Sequence, residues 1–408
     1  ASGSTQKSAS VNFLGTGAAP ANLLISDGPT FDFGPIVATA ITEKSFTVTN
    51  VGNVPATSIT GGGLAAPYEF KGGVYPGTGG TCAGTLAAGA SCSVVVTFNP
   101  QTTGLATDTL EISFDSQAAI ETSTRDIRGT GATPASVSIS DSPGFDFGTF
   151  AVGASSDKVF TLTNGGGVSA TSLAGSGLAA PFSFKGGTFP GTGGNCGATL
   201  ASTASCTIVV TYAPTATGTT VDAVDITYFD GLNAQAPSRA VQGTAVTPAI
   251  LTIDHGPTYS FGTLIVSASA DVTLTVSNVG GFNASFITGT GLAAPFNFKG
   301  GTFPGTGGTC GAALGAGSSC SVVVTYAPSA AGTFSDTLDI GYVNGASSQT
   351  VSRAMQGLAV TPATLAISDG PTYDFGTFPS GASTDKTFTV TNSGGTNATA
   401  VTGGGLAS

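Results

Sequence analysis

Apolar and polar residues alternate in short runs along the whole chain, and no run is long. Between 135 and 248 the runs are Ser136-Val137-Ser138-Ile139, Val159-Phe160-Thr161-Leu162-Thr163, Ile208-Val209-Val210-Thr211-Tyr212, Val224-Asp225-Ile226-Thr227-Tyr228 and Ser238-Arg239-Ala240-Val241. Alternation at period two, rich in Val, Ile, Thr, Tyr and Phe, predicts β-strands, because successive side chains of a strand point to opposite faces. Phe160 and Leu162 are expected to face a core, as are Ile208, Val210 and Tyr212, with the intervening threonines turned to water. Clusters such as Asn164-Gly165-Gly166-Gly167 separate the runs and read as turns. No segment shows helical spacing with caps.

The pattern repeats. Phe31-Asp32-Phe33-Gly34 returns as Phe145-Asp146-Phe147-Gly148, Tyr259-Ser260-Phe261-Gly262 and Tyr373-Asp374-Phe375-Gly376, a step of 114 residues each time. Pro20, Pro134, Pro248 and Pro362 keep the same step, as do Pro100, Pro214 and Pro328. A unit of this length is too long for a solenoid repeat and fits a domain with its own core. The chain therefore divides into 1–20, the closing strand of a preceding repeat; three whole repeats at 21–134, 135–248 and 249–362; and the opening part of a further repeat at 363–408. Both ends fall inside the pattern, so the chain is expected to be a piece of something longer. About seven short strands per repeat predict an all-β fold, a tandem array of immunoglobulin-like β-sandwich domains. A small barrel is the alternative, less natural for an end-to-end array.

Composition narrows the function. Of 408 residues only 8% are charged, with 11 Lys and Arg against 22 Asp and Glu, a formal charge of -11 that disfavours nucleic acid as a partner. The longest apolar stretches, such as Ser93 to Phe98, fall far short of the 18 or more residues of a membrane helix, so no membrane span is expected in this fragment. The six cysteines form three pairs at the repeat step, Cys82 with Cys92, Cys196 with Cys206 and Cys310 with Cys320. We expect three disulfides within repeats and hence an extracellular or cell-surface setting, since such bonds persist outside the reducing cytosol. A metal site is the rival, but zinc spacing is missing and the single His255 occurs in one repeat only.

The stretch Cys206-Thr207-Ile208-Val209-Val210-Thr211-Tyr212-Ala213-Pro214, its copies from Cys92 and Cys320, the strand Phe160-Thr161-Leu162-Thr163-Asn164 and the closing Gly129-Thr130-Gly131 resemble bacterial choice-of-anchor D repeats, relatives of the ASH (hydin-like) immunoglobulin-like domains. The resemblance implies a seven-stranded sandwich in large secreted or surface-attached bacterial proteins and no catalytic residues. Gly243-Thr244-Ala245 and Gly357-Leu358-Ala359 depart from it, lacking the second glycine.

Candidate contact residues lie in a long Gly- and Pro-rich loop, nearly identical between copies. Phe182, Phe184, Lys185 and Phe189, with Phe296, Phe298, Lys299 and Phe303, and Phe70, Lys71 and Tyr75, either form a surface against a neighbouring domain or chain, or plug their own sandwich with the lysine in water. Lys71, Lys185 and Lys299 also raise an intramolecular isopeptide link, for which no matched buried acid is evident. Asp27, Asp141 and Asp369, with Asp32, Asp146 and Asp374, suit calcium in residue type, but His255 and Ser260 break the series, which favours turn-forming aspartates. The Gly-rich run lacks the Gly-Lys-Ser/Thr and helix of a phosphate loop.

No catalytic constellation, cofactor or metal is expected. The expected function is a structural, non-enzymatic array of a large extracellular or surface protein that forms a fibre or filament. The alternative is the stalk of an adhesin that presents a distal binding domain. Expected partners are neighbouring repeats and copies of itself, and other surface proteins or a host or surface ligand through domains outside this chain. A carbohydrate-binding role ranks last, with no Trp and eight Tyr.

Overall fold

The computed structural model describes residues 5–406, and among these every element is a β-strand. The first sandwich contains β1 (Leu23–Ile25), β2 (Thr30–Val37), β3 (Thr42–Asn50), β4 (Ala56–Gly62), β5 (Tyr68–Phe70), β6 (Thr85–Leu86), β7 (Ser91–Phe98), β8 (Gly104–Asp115) and β9 (Ile120–Ala132). One sheet has the order β1-β3-β7-β5 and the other β2-β9-β8-β4-β6. All neighbours are antiparallel except β2 and β9, which run parallel. Two further sandwiches, between Val137 and Val246 and between Leu251 and Val360, repeat this order. The fold is a tandem array of immunoglobulin-like β-sandwiches.

The alternating runs supply the cores as expected. Phe160, Leu162, Ile208, Val210 and Tyr212 are fully buried, and the facing sheet adds Val224, Ile226 and Val241. Each such side chain contributes about 1.5–3 kcal/mol by leaving water. Rings fill the centre: Phe182 stacks on Tyr212 at 4.9 Å and Phe147 tilts against both. The closing strand passes so near this cluster that a Cβ at Gly243 would lie 2.6 Å from the Tyr212 ring, which accounts for the glycine there and at Gly129 and Gly357.

Polar groups that must be buried are paired. Asn164 lies at the end of its strand with its Oδ1 accepting from Ser136 N and Gly166 N while Nδ2 donates to the carbonyls of Val168 and Leu200. Asn50 and Asn278 do the same, so this amide locks the linker to the sandwich in every complete repeat. Arg125 and its counterparts Arg239 and Arg353 donate to the carbonyls of Ile25, Ile139 and Ile253, tying the closing strand to the first strand.

Two sequence expectations need correction. Residues 5–20, expected as the described part of a closing strand, form no strand, while 1–4 lie outside the described residues. Their counterpart β9 is held between β2 and β8, and nothing flanks residues 5–20 in this way. The strands per sandwich also exceed the runs legible as alternation: Ala170–Ser176, Phe182–Phe184 and Thr199–Leu200 were hidden among Gly, Pro and Ser. In the opening repeat, Leu365–Ile367 pairs with Val390–Asn392, and both stay exposed because no second sheet faces them.

Candidate functional site

The long loop begins after β4 and ends at the first cysteine. In the second sandwich Phe182 and Phe184 form a short strand on Tyr212 and Val210, and both point inward, 1% and 7% exposed. Phe189 turns back edge-on to Phe184 at 5.6 Å, over Gly175, where a Cβ would strike both rings. Phe296, Phe298 and Phe303 repeat this arrangement, and Phe70 with Tyr75 does so in the first sandwich. The phenylalanines therefore plug their own sandwich, and the contact surface expected of Phe70, Tyr75, Phe182, Phe184, Phe189, Phe296, Phe298 and Phe303 is not presented. An FxF pair inside a Gly-rich segment has no flanking alternation to show which way it faces.

The lysines stay at the surface but are not idle. Lys185 pairs with Asp157 at 2.7 Å, Lys299 with Asp271 at 2.8 Å, and Lys71 with Glu43. The lysine and a threonine hydroxyl, Thr211 or Thr325, bond the carboxylates of Asp157 and Asp271 and hold them below the usual aspartate range. These pairs are about half exposed, so they lack the dry setting an isopeptide link needs.

The rest of the loop runs along the edge of the strand it precedes, beyond the Phe182–Phe184 pairing. Lys185 N donates to Val209 O and Val209 N to Pro190 O, and Val209, on the solvent side by alternation, is only 5% exposed. The loop ends in the disulfides Cys82–Cys92, Cys196–Cys206 and Cys310–Cys320, whose Cα atoms lie 4.8–4.9 Å apart. The pairing is the one the spacing predicts.

The aspartates of the second candidate are turn formers. Asp27, Asp141 and Asp369 have φ near +60°, a conformation Asp tolerates better than most residues. Each accepts from a lysine, Lys44, Lys158 or Lys386, and these lysines also sit over the Phe31, Phe145 and Tyr373 rings at 4.3–4.8 Å. Asp32, Asp146 and Asp374 instead accept from the N–H of the glycine two residues on, which in the first two sandwiches bends the edge strand. The two series do not converge, and among the described residues no group of three or more metal-ligating side chains forms.

The sheet edges are blunted. β1 and β5 have three residues, β6 two, and β2 is bulged at Gly34 with φ +74°, features that discourage strand addition. A cleft of about 660 Å³ opens on the first sandwich between Leu64–Glu69 and Asn99–Ala106, with Glu69 its sole ionisable carboxylate and no nucleophile–base pair.

The most regular feature is the junction. Gly167 N donates to the Thr133 carbonyl at 3.1 Å and its hydroxyl at 2.9 Å; Gly281 bonds Thr247 and Gly395 bonds Thr361 in the same way. Asn53 N meets Ala19 O at 3.1 Å in the corresponding place. A Cβ on Gly52, Gly166, Gly280 or Gly394 would land on the carbonyl oxygen of Pro20, Pro134, Pro248 or Pro362. Only glycine lets the linker lie this close. The 114-residue step of these glycines was the signal, but nothing local said what crossed them.

A sequence model of the HYDIN/CFA65/VesB-like, Ig-like domain matches residues 22–130. The match is confined to the first sandwich. The hydin-like resemblance is thereby borne out there, and the next two sandwiches carry the same strand order, disulfide and buried asparagine. Among solved structures the chain is similar to the Vibrio cholerae VesB protease, at 23% identity over 26% of this chain and 31% of that one, TM-score 0.23. It is similar to an ASH/PapD-like domain of human CEP192, at 15% over 32% and 98%, TM-score 0.22. It is also similar to a three-domain I-band fragment of titin, at 9% over 84% and 98%, TM-score 0.30. The chain thus spans less than a third of the VesB protease. No curated protein matches it.

Proposed function

We propose that this hydin-like array is a structural, non-enzymatic element of a surface or extracellular protein, a rod that sets distance. The observation that carries this reading is the junction clamp: the same backbone N–H to carbonyl bond closes every linker, and in three of them a threonine hydroxyl accepts as well. The same linker path repeated in series gives a constant step along the array, as a spacing rod requires. Three disulfides fit an oxidising compartment.

Small-angle scattering with negative-stain imaging of the 408-residue chain tests the rod: three beads in a fixed offset are expected, and freely varying angles refute it.

A second reading, the stalk of an adhesin, is favoured by a different observation. Five of the exposed apolar residues do not recur: Val74, Leu105, Val159, Val221 and Phe286 are replaced by Ser or Thr in the other two sandwiches. A lateral contact repeated on every bead would reuse one surface, and these five positions do not supply it. Imaging the native full-length protein separates the readings: ordered filaments support a fibre, and single strings ending in a distinct tip support the stalk.

A further inference from the structure

The clamp fixes where the linker runs but not how two sandwiches are rotated about it. That role falls to a second contact, between residues 194 positions apart. Val37, at the end of β2 in the first sandwich, is 3% exposed because it sits in the core of the second, against Val168 and Gly231. Gly231 occupies the turn that follows strand Gly218–Phe229. A Cβ added there would lie 2.5 Å from the Val37 Cγ2 and 3.3 Å from the Val168 Cγ2.

The next joint uses the same three positions with different side chains. The counterpart of Val37 is Ala151, fully buried; that of Val168 is Phe282; that of Gly231 is Gly345. A Cβ on Gly345 would lie 2.5 Å from the Phe282 ring and 2.8 Å from the Ala151 Cβ. Where the knob shrinks from Val to Ala, the neighbouring filler grows from Val to Phe. At the third junction Ile265 holds the knob position and Thr396 the filler position in sequence, and Ile265 is exposed there because the opening repeat has no second sheet to receive it.

The glycine turn itself is built independently of this contact. Asp230 Oδ1 accepts from Leu232 N and Asn233 N, Asn344 Oδ1 accepts from Ala346 N and Ser347 N, and Ser116 Oγ takes the same part in the first sandwich. There, however, the glycine position is held by Gln117, with φ +66°, whose side chain donates to Pro55 O at 3.1 Å.

We propose that the joints are keyed by volume: the knob of one sandwich, the filler of the next and the glycine beneath them form one matched set, so each sandwich docks rigidly only on its own successor. The partner of this surface is another copy of the same fold bearing the complementary side chain. Gln117 marks the first sandwich as one whose socket is occupied by its own side chain and does not receive a branched knob. The inference stands whether the array serves as fibre or stalk, because it concerns one joint and no lateral contact.

The test uses residual dipolar couplings of the whole 408-residue chain, which report whether neighbouring sandwiches share one alignment tensor. A common tensor is expected for the three sandwiches of the unaltered chain. Val37→Ala leaves the first joint under-filled, and the first sandwich should lose the common tensor while the other two keep it. Adding Val168→Phe to Val37→Ala copies the second joint into the first and should restore the common tensor. Gln117→Gly, away from both joints, should change nothing between sandwiches. The proposal is overturned if Val37→Ala keeps the common tensor or if the double variant fails to restore it with both sandwiches folded by their amide shifts. Should Val168→Phe disturb its own sandwich, Gly231→Ala with and without Val37→Ala gives a second cycle: the alanine alone must break the common tensor, and removing the opposing methyls must recover it.

Discussion

Replacing Cys196 and Cys206 together by alanine should lower the melting temperature of the second sandwich alone. The disulfide closes a loop of sequence separation 10. In the chain-entropy picture a loop of that size constrains the unfolded chain by about 3 kcal/mol. A domain of this length unfolds with an entropy near 0.24 kcal/mol/K, so each kcal/mol moves the midpoint by about 4 °C and the full effect by about 12 °C. The native loop keeps other ties, since Asn195 N and Cys196 N both donate to Thr207 O and Thr207 N donates to Asn195 Oδ1. The folded geometry should therefore survive the change. Both sulfurs are buried, so losing their packing adds to the drop. Scanning calorimetry of the whole chain reads the result: one of three transitions moves down by roughly this amount and two stay. A shift under about 4 °C, a third of that expected from loop closure, would show that the unfolded loop is already constrained and refute the entropic account. Movement of all three transitions together would refute the reading of the sandwiches as separate cooperative units.

Gly166→Ala should cost more than the roughly 1 kcal/mol typical of a point substitution, because the added carbon meets a backbone oxygen that cannot rotate away; urea melts check it. Acid should weaken the chain. The carboxyls of Asp141, Asp157 and Asp271 are held low mainly by lysine, so their contribution is complete above the ordinary aspartate pKa and is lost as pH falls through the lower folded value. Stability measured at pH 6 and pH 3 should differ less in a Lys158→Met, Lys185→Met, Lys299→Met variant, each exposed pair contributing at most about 1 kcal/mol. The intact mass should show loss of hydrogen from three disulfides and no loss of water, since Lys71, Lys185 and Lys299 stay in ordinary ion pairs; a dehydrated species would overturn that assignment.

What could be read from the chain beforehand depended on how local the cause was. The strands around Phe160, Ile208 and Val224 announce themselves because burial on one face imposes period two, and the cysteines because a disulfide needs two residues at a repeated spacing. The destination of Phe182 and Phe184 was open, since it depends on pairing with Tyr212 and Val210 some thirty residues later. Val209 misleads for a related reason: alternation turns it outward, and the returning loop then covers it. The fit of Val37 against Gly231 was illegible, because each residue alone is an ordinary turn-flanking residue and the partner lies in another sandwich.

The parallel pairing of β2 with β9 has a mechanical consequence. Tension along the array enters each sandwich near β1 and leaves through β9, whose parallel neighbour β2 follows β1 in the chain. Pulling these two strands in opposite senses slides one along the other, so the bonds from Thr30–Asp126 to Val37–Ala132 resist together and do not open one by one. The disulfide loop, closed between Cys82 and Cys92, lies outside that path. Heat and force would thus find different weak points in the same bead: reduction lowers the temperature it withstands and leaves the pull it withstands unchanged.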